Sequence, residues 1–174
     1  NLITVLAKKS DYCDFVNTTS NSSFEATLNR SYDSKVLAPF KTILNDTVSK
    51  KFIVVHLLGN HTSYKKRYPD NFKVFKGYNQ KEKTIAEYDN SILYNDYILD
   101  SLINTVKLKE NESINFIYLS DHGENVYDEF DYAGHYYTQT LPKANVEIPF
   151  FVWLSKNFIT LHPNKITDMK SNIH

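Results

Sequence analysis

Glycine is scarce in this sequence, with four in 174 residues, and there is one cysteine, one methionine and one tryptophan. The lone Cys13 excludes an internal disulfide framework and any metal site built from several cysteines, although it does not choose a compartment. No Gly-rich nucleotide loop and no Gly-x-Ser-x-Gly elbow occurs. An excess of one charge is missing too. Lys+Arg and Asp+Glu both number 20, so no overall field favours nucleic acid or an anionic surface, and a charged substrate must be held by local groups. The longest apolar runs, residues 52–58 and 148–154, fall far short of the ~20 residues that span a bilayer. The chain starts at Asn1 without a methionine, leader or anchor, so residues 1–174 are expected to be a fragment of a longer protein. What is present is a 41% hydrophobic and 14% aromatic content, which suits one packed domain or a large piece of one and argues against disorder. Asn-x-Ser/Thr triplets such as Asn17-Thr18-Thr19 carry no weight in so Asn-rich a chain.

Hydrophobic spacing predicts the elements. Residues 2–9 read as a short helix, 12–16 as a candidate strand and 17–23 as a polar loop. Residues 33–48 have helical spacing and lead into an apolar strand over 52–58. From 82 to 106 the apolar positions Ile85, Tyr88, Ile92, Leu99, Leu102, Ile103 and Val106 recur every three or four residues, as in a long amphipathic helix. Apolar runs at 114–119 and 148–154 flank a polar stretch, 120–145. Strands without polar alternation, separated by helices, predict an α/β fold: a mostly parallel sheet flanked by helices on both faces.

Three of the four glycines lie within two residues of a histidine: Gly59-Asn60-His61, His122-Gly123 and Gly134-His135. Glycine permits close backbone approach around a ligand, and loops at strand carboxyl ends are where open α/β sheets bind ligands. In Ser120-Asp121-His122-Gly123-Glu124, a carboxylate beside an imidazole at a turn presents oxygen and nitrogen to one divalent ion, a mixed set that zinc accepts. The plainer reading is a turn in which Asp121 caps backbone and His122 is a surface residue. His56, inside the strand pattern, reads as a hydrogen-bonded core histidine, and His61 is the better functional candidate. Arg67 either anchors its loop or contacts a phosphate. In the acidic stretch 128–135, Asp128, Glu129 and Asp131 fit a solvated loop, and His135 is the residue to single out. Tyr88, Tyr94 and Tyr97 read as packing.

In order and spacing, His56-Leu57-Leu58-Gly59-Asn60-His61 with Tyr64 and Arg67-Tyr68-Pro69, then Tyr88-Asp89-Asn90-Ser91-Ile92-Leu93-Tyr94-Asn95-Asp96, then Tyr118-Leu119-Ser120-Asp121-His122-Gly123-Glu124, Gly134-His135 and Ile148-Pro149-Phe150 resemble the phosphoethanolamine transferases of the bacterial envelope. These form part of the sulfatase-like branch of the alkaline phosphatase superfamily. The resemblance implies part of an alkaline phosphatase/sulfatase-like catalytic domain, periplasmic and belonging to an inner-membrane protein whose anchor lies upstream. It implies a zinc enzyme that moves phosphoethanolamine from phosphatidylethanolamine to lipid A, core sugars of lipopolysaccharide or another envelope acceptor. By motif position Asp121 and His122 match zinc ligands. His61 and His135 match histidines that bind the transferred phosphoryl group or a second metal, and Glu124 matches an acidic residue nearby. The family's remaining zinc carboxylate and its threonine nucleophile would lie upstream. Thr62, Ser63 and Ser120 do not occupy the nucleophile's strand-to-helix position, and a family lysine has no clear match in the 17–21 loop.

The chemistry agrees with the resemblance, because an anionic phosphodiester resists attack unless its charge is offset. Two rivals remain: a hydrolase or phosphoglycerol transferase of the same superfamily, and a non-catalytic envelope module. With two matched ligands, the chain by itself is expected to bind zinc weakly or not at all and to catalyse no transfer.

Overall fold

The structure, a computed structural model, describes residues 2–16, 30–135 and 140–171. The expected polar loop at 17–23, with the unmatched lysine position, lies outside them.

The first helix, α1, is Leu2–Lys9, and residues 12–16 after it are irregular rather than a strand. A 3-10 turn at Asp33–Val36 runs into α2, Leu37–Leu44, so the predicted helix is shorter and Val48 lies exposed beyond its end. Further 3-10 turns at Tyr64–Lys66 and Asp70–Phe72 precede α3, Gln80–Lys107. At 28 residues and ~1.5 Å rise per residue, α3 is about 42 Å long. Asn79 caps its start by accepting from the Glu82 amide at 2.9 Å, while Glu82 reaches back to the Tyr78 amide at 2.8 Å. The first bond satisfies a donor that the opening helical turn leaves without a partner, and the second ties the residue before the cap to the helix. Then follow β1 (Asn115–Leu119), β2 (Asn125–Val126), β3 (Ala133–Gly134), the short α4 (Lys143–Val146), β4 (Phe150–Leu154), α5 (Lys156–Leu161) and α6 (Pro163–Ser171).

The core is the inner face of α3 against α2. Phe40 and Leu44 of α2 meet Tyr94, Ile98, Leu102 and Val106 of α3 and Tyr68, and Ile53, Val55, Leu57, Phe116 and Trp153 pack around them. Each fully buried aliphatic side chain here contributes ~1.5–3 kcal/mol. Tyr94 is core, and Tyr97, exposed at the surface, stacks on Tyr94 and meets Phe72, so both pack as expected. The polar residues on this face are engaged: Asn90 accepts from the Val74 and Phe75 amides at 2.8 and 2.9 Å and straps that segment onto the helix.

Among the described residues the expected mostly parallel sheet is not found. β1 pairs with β4 antiparallel, in register from Asn115↔Leu154 to Leu119↔Phe150, and β2 pairs with β3 antiparallel. Apolar runs report burial but not direction, and residues 52–58, read as a strand, are extended without a ladder partner among the described residues. Among the described residues, helices on both faces are not found either. Phe116 and Trp153 turn toward the core, whereas Ile117, Leu119 and Phe150 on the other side, with Phe52 and Val54, are exposed.

Candidate active site

Three chain segments arrive at one place. The first is the extended stretch 52–58, whose alternate residues Ile53, Val55 and Leu57 face the core. It ends at Gly59, with φ 57°, a left-handed value that favours glycine. Asp33, buried at the head of the 3-10 turn before α2, accepts from the Leu58 and Gly59 amides at 3.1 and 2.7 Å. Its carboxyl is pushed above the ordinary value by burial, against the lowering effect of those two amides, Arg67 and His56. Arg67 is 3% exposed, and burial lowers its pKa while Asp33 opposes the shift. Of its two expected roles it therefore fits the loop anchor. His56 is exposed, not in the core as expected, because burial alternates along 53–57 and sets it opposite to Val55 and Leu57.

The second segment follows β1. Ser120 Oγ donates to the His122 carbonyl at 2.7 Å, and the Asp121 carboxylate accepts from the His122 amide at 3.1 Å. The Gly123 amide donates to the Asn145 carbonyl at 2.9 Å. A β-carbon on Gly123 would stand 2.0 Å from the Ala144 carbonyl oxygen and 2.7 Å from that of Glu147, so only glycine lets this turn lie against α4. His122 Nδ1 sits 2.8 Å from the Gly123 carbonyl oxygen, which sets it as the N–H donor and leaves Nε2 a lone pair; Asp121 Oδ1 is 3.9 Å from that Nε2.

His135 closes the site. The acidic stretch before it is folded around Asn125, which is fully buried. Asn125 donates to the carbonyls of Phe130 and Tyr132 at 3.2 and 2.6 Å and accepts from the Glu129 amide at 3.1 Å. The acids expected to be solvated are partly engaged: Asp128 accepts from the Val126 amide, Glu129 from the Ala144 amide, and Asp131 pairs with Lys81 at 3.1 Å. The His135 ring lies 4.0 Å from that of His122 and 6.4 Å from that of His61, centroid to centroid. Glu124, its side chain 7% exposed, brings Oε1 to 3.5 Å from His135 Nδ1. His122, Glu124 and His135 each offer a ligand atom, all within 4.8 Å of one another. The structure thus gathers His61, His122, Glu124 and His135, with Asp121 at the edge, its side chain 87% exposed. Two imidazoles and a carboxylate match the donor set of a zinc site.

Three features of the site are not legible in the sequence. Tyr64 Oη donates to Glu124 Oε1 at 3.0 Å across 60 residues. Asn145 accepts from the Asn125 amide at 2.7 Å, and Asp33 braces the His61 loop. Tyr88 beside them has its pKa pushed up to about 12, by burial first and then by the charges of Glu124, Asp128 and Asp89.

The sulfatase family pattern matches residues 4–171. This chain belongs to the sulfatase family. Within that family it is similar to phosphoethanolamine transferases. It is 37% identical over 172 residues to phosphoethanolamine transferase EptC of Escherichia coli K12, covering 93% of this chain and 29% of that protein. With phosphoethanolamine transferase EptA of Helicobacter pylori the identity is 35% over 141 residues, covering 75% of this chain and 27% of that protein. A zinc complex of the C-terminal periplasmic domain of the E. coli EptC superposes with a TM-score of 0.81 at 35% identity, covering 94% of this chain and 47% of that one. The corresponding Campylobacter jejuni domain gives a TM-score of 0.65 at 32% identity, covering 78% and 47%. The chain therefore spans under a third of these curated relatives and about half of the solved domains. Among the described residues, no helix is long and apolar enough to cross a membrane.

Proposed function

We propose that this chain is part of a zinc-dependent envelope phosphoethanolamine transferase that carries phosphoethanolamine from phosphatidylethanolamine to lipid A, a core sugar or another envelope acceptor. In this reading it belongs to the periplasmic domain of a bacterial inner-membrane protein. The observation that carries the proposal is the meeting of His122, Glu124 and His135 ligand atoms within 4.8 Å, beside His61 and Asp121, in a chain similar to named phosphoethanolamine transferases. Bound zinc supplies a Lewis acid that offsets charge on a phosphoryl oxygen and lowers a hydroxyl pKa.

Asp121 and His122 would hold the metal, since Nδ1 of His122 faces the Gly123 carbonyl and leaves Nε2 as the nitrogen that could serve. His61 and His135 hold phosphoryl oxygens or a second metal, and Glu124 fixes the His135 ring. Ser120 Oγ is committed to the His122 carbonyl, and in this reading the attacking threonine belongs to a part of the protein upstream of this chain. The test is release of diacylglycerol from phosphatidylethanolamine by the full-length parent, with calorimetric titration of zinc into parent and chain. Expected are release by the parent, its loss in Asp121→Ala, no turnover by the chain, and weaker zinc binding by the chain. Tight binding and turnover by the chain would place the nucleophile within these 174 residues, and release of free phosphoethanolamine without transfer would make the protein a hydrolase.

A further inference from the structure

Tyr64 is a buried phenol that the chemistry above leaves without a part. It is 4% exposed and opens the 3-10 turn Tyr64–Lys66, three residues after His61, with its carbonyl accepting from the Arg67 amide at 2.8 Å. Its ring meets the Tyr88 ring of α3 edge to face, with centroids 5.1 Å apart and planes at 73°. Turn, ring contact and burial together fix where the hydroxyl points, and it points at Glu124 Oε1, 3.0 Å away. The same oxygen faces His135 Nδ1 at 3.5 Å.

We propose that Tyr64 is a positioning residue, whose hydroxyl holds the Glu124 carboxylate against His135 Nδ1 so that the Nε2 lone pair of His135 is turned to the site. This rests on the reading of His135 as a site residue given above. A carboxylate accepts hydrogen bonds and donates none when ionised. An oxygen held by a phenol donor on one side therefore stays in place to accept Nδ1–H on the other. The imidazole is then locked as the Nδ1–H tautomer, with Nε2 the only nitrogen able to bind a metal or accept a proton. Without the phenol the Glu124 side chain regains rotamers, and the His135 tautomer and ring angle are no longer specified.

The experiment reads the tautomer directly, in the metal-free chain, from the ring nitrogen shifts of His135 in long-range proton–nitrogen correlation spectra at a pH where the ring is neutral. Wild type should show Nδ1–H. Tyr64→Phe keeps the ring contact with Tyr88 and removes only the hydroxyl. It should give a mixture of both tautomers, with the melting temperature within about 4 °C of wild type. Glu124→Ala, which removes the acceptor, should perturb the tautomer as well, and adding Tyr64→Phe to it should change nothing further, because Tyr64 acts through Glu124. Zinc alone, titrated into the full-length parent with and without each substitution, gives a second readout, with a 10- to 100-fold loss of affinity expected for Tyr64→Phe. A wild-type His135 in the Nε2–H form overturns the proposal without any variant, as does a Tyr64→Phe spectrum identical to wild type. If the tautomer behaves as stated but His122→Ala leaves zinc affinity unchanged, the metal reading fails and the positioning role stands.

Discussion

Replacing Asp33 by alanine tests how the His61 loop is held. The carboxylate is 7% exposed and accepts two backbone amides, Leu58 at 3.1 Å and Gly59 at 2.7 Å. Losing the acceptor for both costs ~1 kcal/mol each. Arg67, 3% exposed, loses the nearby charge that opposes the burial-driven fall of its pKa. Against this, the burial cost of the carboxylate itself is returned, and the raised Asp33 pKa shows that burial outweighs its favourable contacts. The net expectation is ~2–3 kcal/mol for Asp33→Ala and about half that for Asp33→Asn, whose amide oxygen still accepts the amides. Because the folded-state pKa lies above the ordinary 3.8, the stability contributed by this group is fully present below that value and is lost as pH rises through the folded value. The gap between wild type and Asp33→Ala should therefore be wider at pH 4 than at pH 7. Urea unfolding followed by Trp153 fluorescence at both pH values measures it. A loss below ~0.5 kcal/mol, the level of an ordinary surface change, or a gap that narrows on acidification, would refute the bracing role.

Gly123→Ala should cost ~2–3 kcal/mol in urea unfolding, because its β-carbon would sit 2.0 Å from the Ala144 carbonyl oxygen and backbone must move to admit it. Ile98→Ala, at a fully buried position, should cost ~2–5 kcal/mol; Phe52→Ser, 92% exposed, should stay within ~0.5 kcal/mol, and thermal melts compare the two. Spectrophotometric titration should find Tyr88, identified with Tyr88→Phe, ionising near its raised value of about 12. With the folded pKa raised, the stability it contributes is present below the ordinary 10.0 and fades as pH climbs through about 12.

The long helix was readable because its period is local. The Gln80–Lys107 helix extends the expected 82–106 by two residues at the start and one at the end, and its cap is written in Asn79 and Glu82. Strand direction is not local. The runs around Phe116 and Trp153 carry the same apolar residues whichever way they pair, and nothing near either run records that Asn115 stands opposite Leu154. The same limit produced the expectation of helices on both faces. Ile117, Leu119 and Phe150 read as buried because they are apolar, yet among the described residues they are exposed.

The candidate site divides along a similar line. His61, His122 and His135 stood out because few residue types can take a metal or a phosphoryl oxygen, and because each sits beside one of four glycines. At Gly59 the reason is the left-handed φ, and at Gly123 it is the carbonyls of Ala144 and Glu147, which leave no room for a side chain. Their supports carry no such signature. A donor to Glu124 could come from a tyrosine, serine, lysine or backbone amide anywhere in the chain, and only the fold shows that it is Tyr64, 60 residues earlier. Asn125 and Asp33 likewise belong to residue types found in any polar loop. Residues that do chemistry are constrained by type and so are visible in sequence, whereas residues that hold them are constrained by place, which requires the packed structure.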